Sequence, residues 1–245
     1  MSKTTEVFIP VSGGRDMRAL LIEPDVPNSN KAGVIAIHDI FGYTPDIQRI
    51  GERLAAEGYP TLVPDLYDQS GSKPMCVVKT LTAHERGKGH AFSMLEAARL
   101  WLLEQTSVQR VGMMGFCMGG RFAMLYAAQA PISVVAPFYG GVPSKAKTLA
   151  GICPVVGGWG ETDMVYGQHG KRLQKHLEAL GVEHDVKTYP DVGHSYMNNH
   201  DTFIFKELGD YSPLRSKYDE DASEDSWQRV LVFFDRVFSR EQAAG

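Results

Sequence analysis

Residues 108–128 read VQRVGMMGFCMGGRFAMLYAA, and this stretch decides the fold. It passes from an apolar strand-like run into a helix through Gly-x-Cys-x-Gly, with Gly115, Cys117 and Gly119 at alternate positions. A chain that turns directly from strand to helix strains its central residue. Glycines two before and two after remove side chains that would clash there, which is the pattern of a nucleophile elbow. Cys117 also falls at a helix N-terminus, where the helix dipole favours thiolate over thiol. A short motif of this kind also arises by chance around a buried structural cysteine. What separates the two is context: a strand before, a helix after, and an acid then a histidine downstream.

Working outward, short β-branched runs alternate with helical periodicity, the pattern of a mostly parallel twisted sheet with helices on both faces. Two antiparallel strands are expected first, over 5–11 and 15–23, joined by a tight hairpin at Gly13-Gly14. AGVIAIHD (32–39) reads as a strand buried on both sides. A helix starts near Pro45 and ends at Gly58, with Ile47, Ile50 and Leu54 on one face. YPTLVPDLY (59–67) is the next strand, and 68–88 form a polar excursion with no assigned structure. A helix over 90–104 carries Met94, Leu95, Ala98 and Trp101 or Leu102 in register. After the elbow come a helix to about 129, strands in ISVVAPFYG and CPVVGGWG, a helix over about 166–180 stopping at Gly181, and a strand in EHDVKTYP. A last helix presents Trp227, Val230, Leu231, Phe234, Val237 and Phe238 as one stripe. The expected architecture is one α/β-hydrolase domain spanning 1–245.

Composition narrows the function. With 43% hydrophobic and 22% charged residues the chain is an ordinary globular protein, and a formal charge of -4 supplies no basic field for nucleic acid or anionic lipid. The first twenty residues lack a signal-peptide core, and no apolar run suffices to span a bilayer, so a cytoplasmic location is expected. The three cysteines, Cys76, Cys117 and Cys153, form no CxxC pair. Neither a disulfide framework nor a metal site is signalled, and no cofactor is expected. Cys153, preceding Pro154 at a strand start, reads as buried filler. Oligomeric state is not legible.

The acid is expected at Asp163 in PVVGGWGETDMV, delivered by a strand into a Gly-rich loop, with Glu161 the nearest competitor. The histidine is expected at His194 in YPDVGHSYM, with Asp191 a competing local partner. His84, His90, His169, His176 and His200 fall in helices or polar loops, and His184 reads as surface. In such a set the imidazole takes the thiol proton, the carboxylate fixes its tautomer, and the thiolate attacks a carbonyl to give an acyl-enzyme. The fold's oxyanion donors, the N–H after the nucleophile and one from the loop after the third strand, fall on Met118 and Ile40.

IAIHDIFGY (35–43), PDLY (64–67), GFCMGG (115–120), the Gly-x-x-Asp at 160–163 and GHSYMN (193–198) together resemble the dienelactone hydrolase family over nearly the whole chain. The resemblance implies a single-domain α/β hydrolase with a Cys-His-Asp triad on Cys117, His194 and Asp163, hydrolysing a small lactone such as a carboxymethylene butenolide. The family's activating Glu in "EIFG" corresponds to Asp39, one methylene shorter; a carboxylate satisfied by neighbouring N–H groups is the other reading. His38 beside it is read as pointing to the other face. The arginine that grips the substrate carboxylate four residues after the catalytic His corresponds to Asn198, with Arg86 a substitute cation; Tyr139 is a further candidate substrate contact. Two other readings remain: a broad-specificity carboxylesterase or thioesterase, and a non-catalytic binding or thiol redox-sensing protein.

Overall fold

A computed structural model describes residues 2–68, 89–200 and 212–244. Arg86, Cys76 and His84 lie outside these residues, as does most of the 68–88 excursion. The elements are β1 (Lys3–Ile9), β2 (Met17–Glu23), β3 (Ala32–Ile37), α1 (Pro45–Ala56), β4 (Thr61–Pro64), α2 (His90–Gln105), β5 (Arg110–Phe116), α3 (Met118–Ala127), β6 (Val134–Phe138), a 3-10 turn (Ala146–Leu149), β7 (Val155–Gly160), α4 (His169–Leu180), β8 (His184–Tyr189) and α5 (Glu220–Ala244).

The strands form an eight-stranded sheet in the order β1-β2-β4-β3-β5-β6-β7-β8. β1 pairs antiparallel with β2, and β2 with β4; every other pairing is parallel. The N-terminal hairpin is looser than the sequence suggests. Ile9 pairs with Met17, so residues 10–16 form the connection, with a turn closed by Gly14 N–H on Val11 O and Gly13 at φ 75°. α4 also begins later than expected, at His169, because the residues before it are drawn into a turn around Asp163.

The register shows how the two helical layers arise. Gly33 pairs with Val111, and Val34 with Gly112. A Cβ on Gly33 would meet Leu102 of α2 at 3.2 Å, whereas one on Gly112 would meet Phe238 of α5 at 2.9 Å. Successive residues of a strand point to opposite faces, so α2 and α5 cover opposite sides of the sheet. α1 joins α5: Arg53 lies over the Trp227 ring at 4.5 Å and pairs with Glu224. α3 joins α2 through Phe92 and Phe122. The central strand β3 is therefore buried throughout, and chemistry is left to the loops at the strand ends.

Candidate active site

β5 runs into α3 through Cys117, which holds φ 53° and ψ -112°. A non-glycine residue in this region costs about 1–3 kcal/mol and persists only where its surroundings over-determine it. They do so here. Cys117 N–H donates to Phe138 O at 3.0 Å, locking the elbow to the neighbouring strand. A Cβ on Gly115 would sit 2.3 Å from Gly119 O, and one on Gly119 2.5 Å from His38 O, so the turn closes only with glycine at both places. Tyr139 and Ser195 also take positive φ, 40° and 59°, so backbone strain gathers around this one point.

The β8 to α5 connection brings His194 in, and the β7 to α4 connection brings Asp163. His194 Nδ1 stands 2.6 Å from Asp163 Oδ2, and both side chains are buried. Asp163 Oδ1 accepts the N–H groups of Val165 and Tyr166 at 2.9 Å each, so the carboxylate is fixed on both oxygens. That bonding requires the proton on Nδ1 and leaves Nε2 as the working nitrogen. Nε2 is enclosed and makes no well-formed hydrogen bond among the described residues; the thiol of Cys117 is its neighbour. Burial disfavours the imidazolium, but Asp163 and Cys117 outweigh it and push His194 up to about 9. The imidazole ring is held between Tyr139, with centroids 5.0 Å apart, and Tyr166, at 5.5 Å.

Of the remaining sequence candidates, Met118 opens α3, where its N–H has no intrahelical acceptor. Ile40 lies in the loop after β3. Glu161 does not share Asp163's place: it is exposed toward Lys171, 3.7 Å away. Asp39 is buried; its Oδ1 accepts Phe41 N–H at 2.8 Å, and its Oδ2 lies 2.8 Å from His200 Nε2. His200, read from sequence as a polar-loop residue, is thus a partly buried partner of Asp39. Burial alone would lower its pKa, but Asp39 outweighs this and raises it.

Tyr139 and Asn198 sit deeper than the sequence suggests. Tyr139 is fully buried, and its hydroxyl donates to Asn198 Oδ1. The amide of Asn198 donates to Asp46 Oδ2 at 2.6 Å, so both of its ends are engaged inside the protein. Asp46, at the start of α1, also accepts Asn199 N–H at 3.1 Å and Arg49 at 2.8 Å. Arg49 reaches on to Met197 O. This knot ties the His194 loop to α1. The sequence shows Asp46 only as an acidic residue in a first helical turn, which the helix dipole alone would explain.

Tyr67 has no role assigned from sequence, and His38 is read there only as pointing to the other face. His38 is fully buried, with Nδ1 2.6 Å from Asp39 O and Nε2 accepting Leu66 N–H at 3.1 Å. The Tyr67 hydroxyl donates to Ile40 O at 2.9 Å and lies 3.6 Å from Met118 Sδ. Their only sequence signal is that they fall within the IAIHDIFGY and PDLY segments. Among the described residues no group of His, Cys, Asp and Glu has a metal-binding arrangement, and no helix is long and apolar enough to cross a membrane.

Comparison with known proteins agrees with this architecture. The carboxymethylenebutenolidase of Rhodococcus opacus is 27% identical over 84% of this chain and 81% of its own length. The solved dienelactone hydrolase of Anabaena variabilis ATCC 29413 has a TM-score of 0.64 at 22% identity, covering 91% of this chain and 96% of its own. A dienelactone hydrolase-like promiscuous phosphotriesterase from metagenomic libraries reaches 0.80 at 21% identity, over 96% and 98%. At such identities the structural likeness speaks for the fold. The sequence model of the dienelactone hydrolase family matches residues 17–238, nearly the whole chain, and the chain belongs to that family of α/β-fold hydrolases.

Proposed function

We propose that this protein hydrolyses a small lactone or activated carboxylic ester with Cys117 as nucleophile, His194 as base and then acid, and Asp163 as the group that orients His194. The observation that carries the reading is the strained elbow at Cys117 facing an imidazole whose other nitrogen is held 2.6 Å from a buried carboxylate. A cysteine kept merely for packing has no need of a backbone strain of about 1–3 kcal/mol.

In this mechanism His194 Nε2 takes the thiol proton and the sulfur attacks the substrate carbonyl. The oxyanion of the tetrahedral intermediate accepts the N–H groups of Ile40 and Met118. Collapse breaks the carbon–oxygen bond, and the imidazolium protonates the departing alkoxide or enolate. Water, deprotonated by His194, then attacks the thioester and releases the acid. Asp163 stays ionised throughout and stabilises the imidazolium.

The test is to mix the protein with p-nitrophenyl acetate and weigh the product. Acetyl mass on the peptide bearing Cys117, appearing with the p-nitrophenolate burst and absent from Cys117→Ala, supports the reading. Steady turnover by Cys117→Ala at the parent rate refutes it.

A further inference from the structure

We propose that His38 and Tyr67 are positioning residues that aim the Ile40 N–H into the oxyanion site from behind the loop. The inference rests on the reading of Ile40 as an oxyanion donor. It starts from two consecutive peptide units. The C=O and N–H of a trans peptide point in opposite directions, so fixing one aims the other.

In the unit between Asp39 and Ile40, the carbonyl is held by His38 Nδ1 at 2.6 Å and by Gly42 N–H at 3.2 Å. In the next unit, Ile40 O accepts the Tyr67 hydroxyl at 2.9 Å, and Phe41 N–H donates to Asp39 Oδ1 at 2.8 Å. The one remaining polar group is the Ile40 N–H, which makes no hydrogen bond among the described residues. It must point away from His38.

The brace has little freedom of its own. Leu66 N–H donates to His38 Nε2, so the ring proton sits on Nδ1 and is directed at Asp39 O. The ring is completely buried and packs 5.0 Å from that of Tyr67. Tyr67 in turn fills the space beside Gly42, where a Cβ would come within 2.8 Å of its ring, and its hydroxyl lies 3.6 Å from Met118 Sδ. One tyrosine hydroxyl therefore contacts both residues that supply oxyanion donors. With Nδ1 on Asp39 O and Nε2 on Leu66 N–H, the buried ring is satisfied at both nitrogens and ties the loop after β3 to the segment after β4.

The experiment compares His38→Leu, His38→Asn and Tyr67→Phe with the parent by p-nitrophenyl acetate kinetics and by the rate of Cys117 alkylation with iodoacetamide. Alkylation displaces iodide from a tetrahedral carbon and forms no oxyanion, so it reports the thiol and His194 alone. For His38→Leu, kcat should fall by about 10- to 100-fold, less than the full loss of a donor because the N–H is misaimed and not removed. KM and the alkylation rate should stay within about twofold. His38→Asn, whose amide nitrogen can take the place of Nδ1, should recover most of kcat. Tyr67→Phe should lose about fivefold in kcat with alkylation unchanged, and it decides the matter if His38→Leu does not fold. Parent-like kcat in both His38→Leu and Tyr67→Phe overturns the proposal, and so does a parallel loss of alkylation, which would place the defect at the thiol. Cys117→Ala is run alongside. Parent-like turnover in that variant would remove the nucleophile reading and this inference with it, whereas a dead Cys117→Ala with parent-like brace variants refutes the brace alone.

Discussion

The Tyr139 ring lies 5.0 Å from that of His194 while its hydroxyl donates to Asn198, so one buried side chain both walls the imidazole and anchors the loop that carries it. Tyr139→Phe keeps the wall and cuts the anchor. Asn198 Oδ1 is then left buried without its donor, a loss of about 1–3 kcal/mol. Urea unfolding should show that destabilisation, with kcat reduced only a few-fold because the ring remains. A kcat loss of a hundredfold at parent stability would instead make the hydroxyl a participant in chemistry.

Cys117→Ala and His194→Ala should each abolish ester turnover while remaining folded, since members of one nucleophilic unit do not replace each other. Asp163→Asn should be less severe, a loss of about 10²–10⁴ in kcat, because an amide donating toward Nδ1 selects the other imidazole tautomer. The amide cannot escape this by inverting, because Oδ1 accepts two backbone N–H groups that an NH2 in its place would meet donor to donor. Circular dichroism melts check that the variant keeps its fold.

Iodoacetamide should label Cys117 well before Cys153. Burial pushes the Cys153 thiol up to about 12, so almost none of it is thiolate at neutral pH. Cys117 is partly exposed, at a helix N-terminus beside His194. Peptide mapping after brief exposure reads the order directly, and faster labelling at Cys153 would count against an activated thiol at the elbow.

Which parts of this site the sequence reveals has a physical logic. The elbow is local: strand, glycine, cysteine, glycine and helix lie within a few residues, and their steric requirements are the same in any chain with that pattern. Asp163 and His194 follow because strand ends deliver loops to one edge of a parallel sheet in a fixed order. Asp46 with Asn198, and Asp39 with His200, are pairs formed only when distant segments meet, and neither partner has a periodicity that marks it. The Gly13-Gly14 hairpin misleads for a related reason. Pairing with β2 ends at Ile9, and local turn preference does not decide where a register stops.

His194 gives the protein a specific pH dependence. Its folded value of about 9 stands above the ordinary 6.5, so the folded state holds the proton more tightly than the unfolded chain does. This stabilisation is fully present below pH 6.5 and is lost as pH rises through 9; the shift corresponds to about 3 kcal/mol at most. Urea midpoints should fall across that window. Cys117→Ala, lacking one of the groups that raise the imidazole, should show a shallower fall. The alkaline limb of kcat/KM should lie near pH 9, where the imidazolium that protonates the leaving group disappears. A limb near 6.5 would mean that Asp163 and Cys117 do not hold the proton on His194.

With Cys117 as the proposed nucleophile, substrate choice follows from its chemistry and from what surrounds it. A thiolate adds to a carbonyl to give an intermediate from which the thiolate is itself a good leaving group, so the reaction advances only when the substrate's own leaving group departs comparably well. Enolates and aryl oxides do; amide nitrogen does not. An enol lactone carries that leaving group in its ring, and the released enolate takes a proton on carbon, which prevents reclosure. Lactones and aryl esters should therefore be turned over, and matched amides should not. Asn198 limits the choice further. Its amide is 5% exposed, with the nitrogen donating to Asp46 and the oxygen accepting from Tyr139, so it offers a substrate carboxylate no charge and is turned into the protein. A neutral amide in place of a guanidinium forgoes the charge-assisted pair. Lactones with and without a carboxylate, otherwise matched, should then differ by less than about tenfold in kcat/KM, roughly 1.4 kcal/mol of transition-state binding. A larger preference for the acid would assign the carboxylate to another cation. His200 and Arg86 are the two to replace, His200→Gln first, because His200 already stands 2.8 Å from Asp39 in the loop after β3.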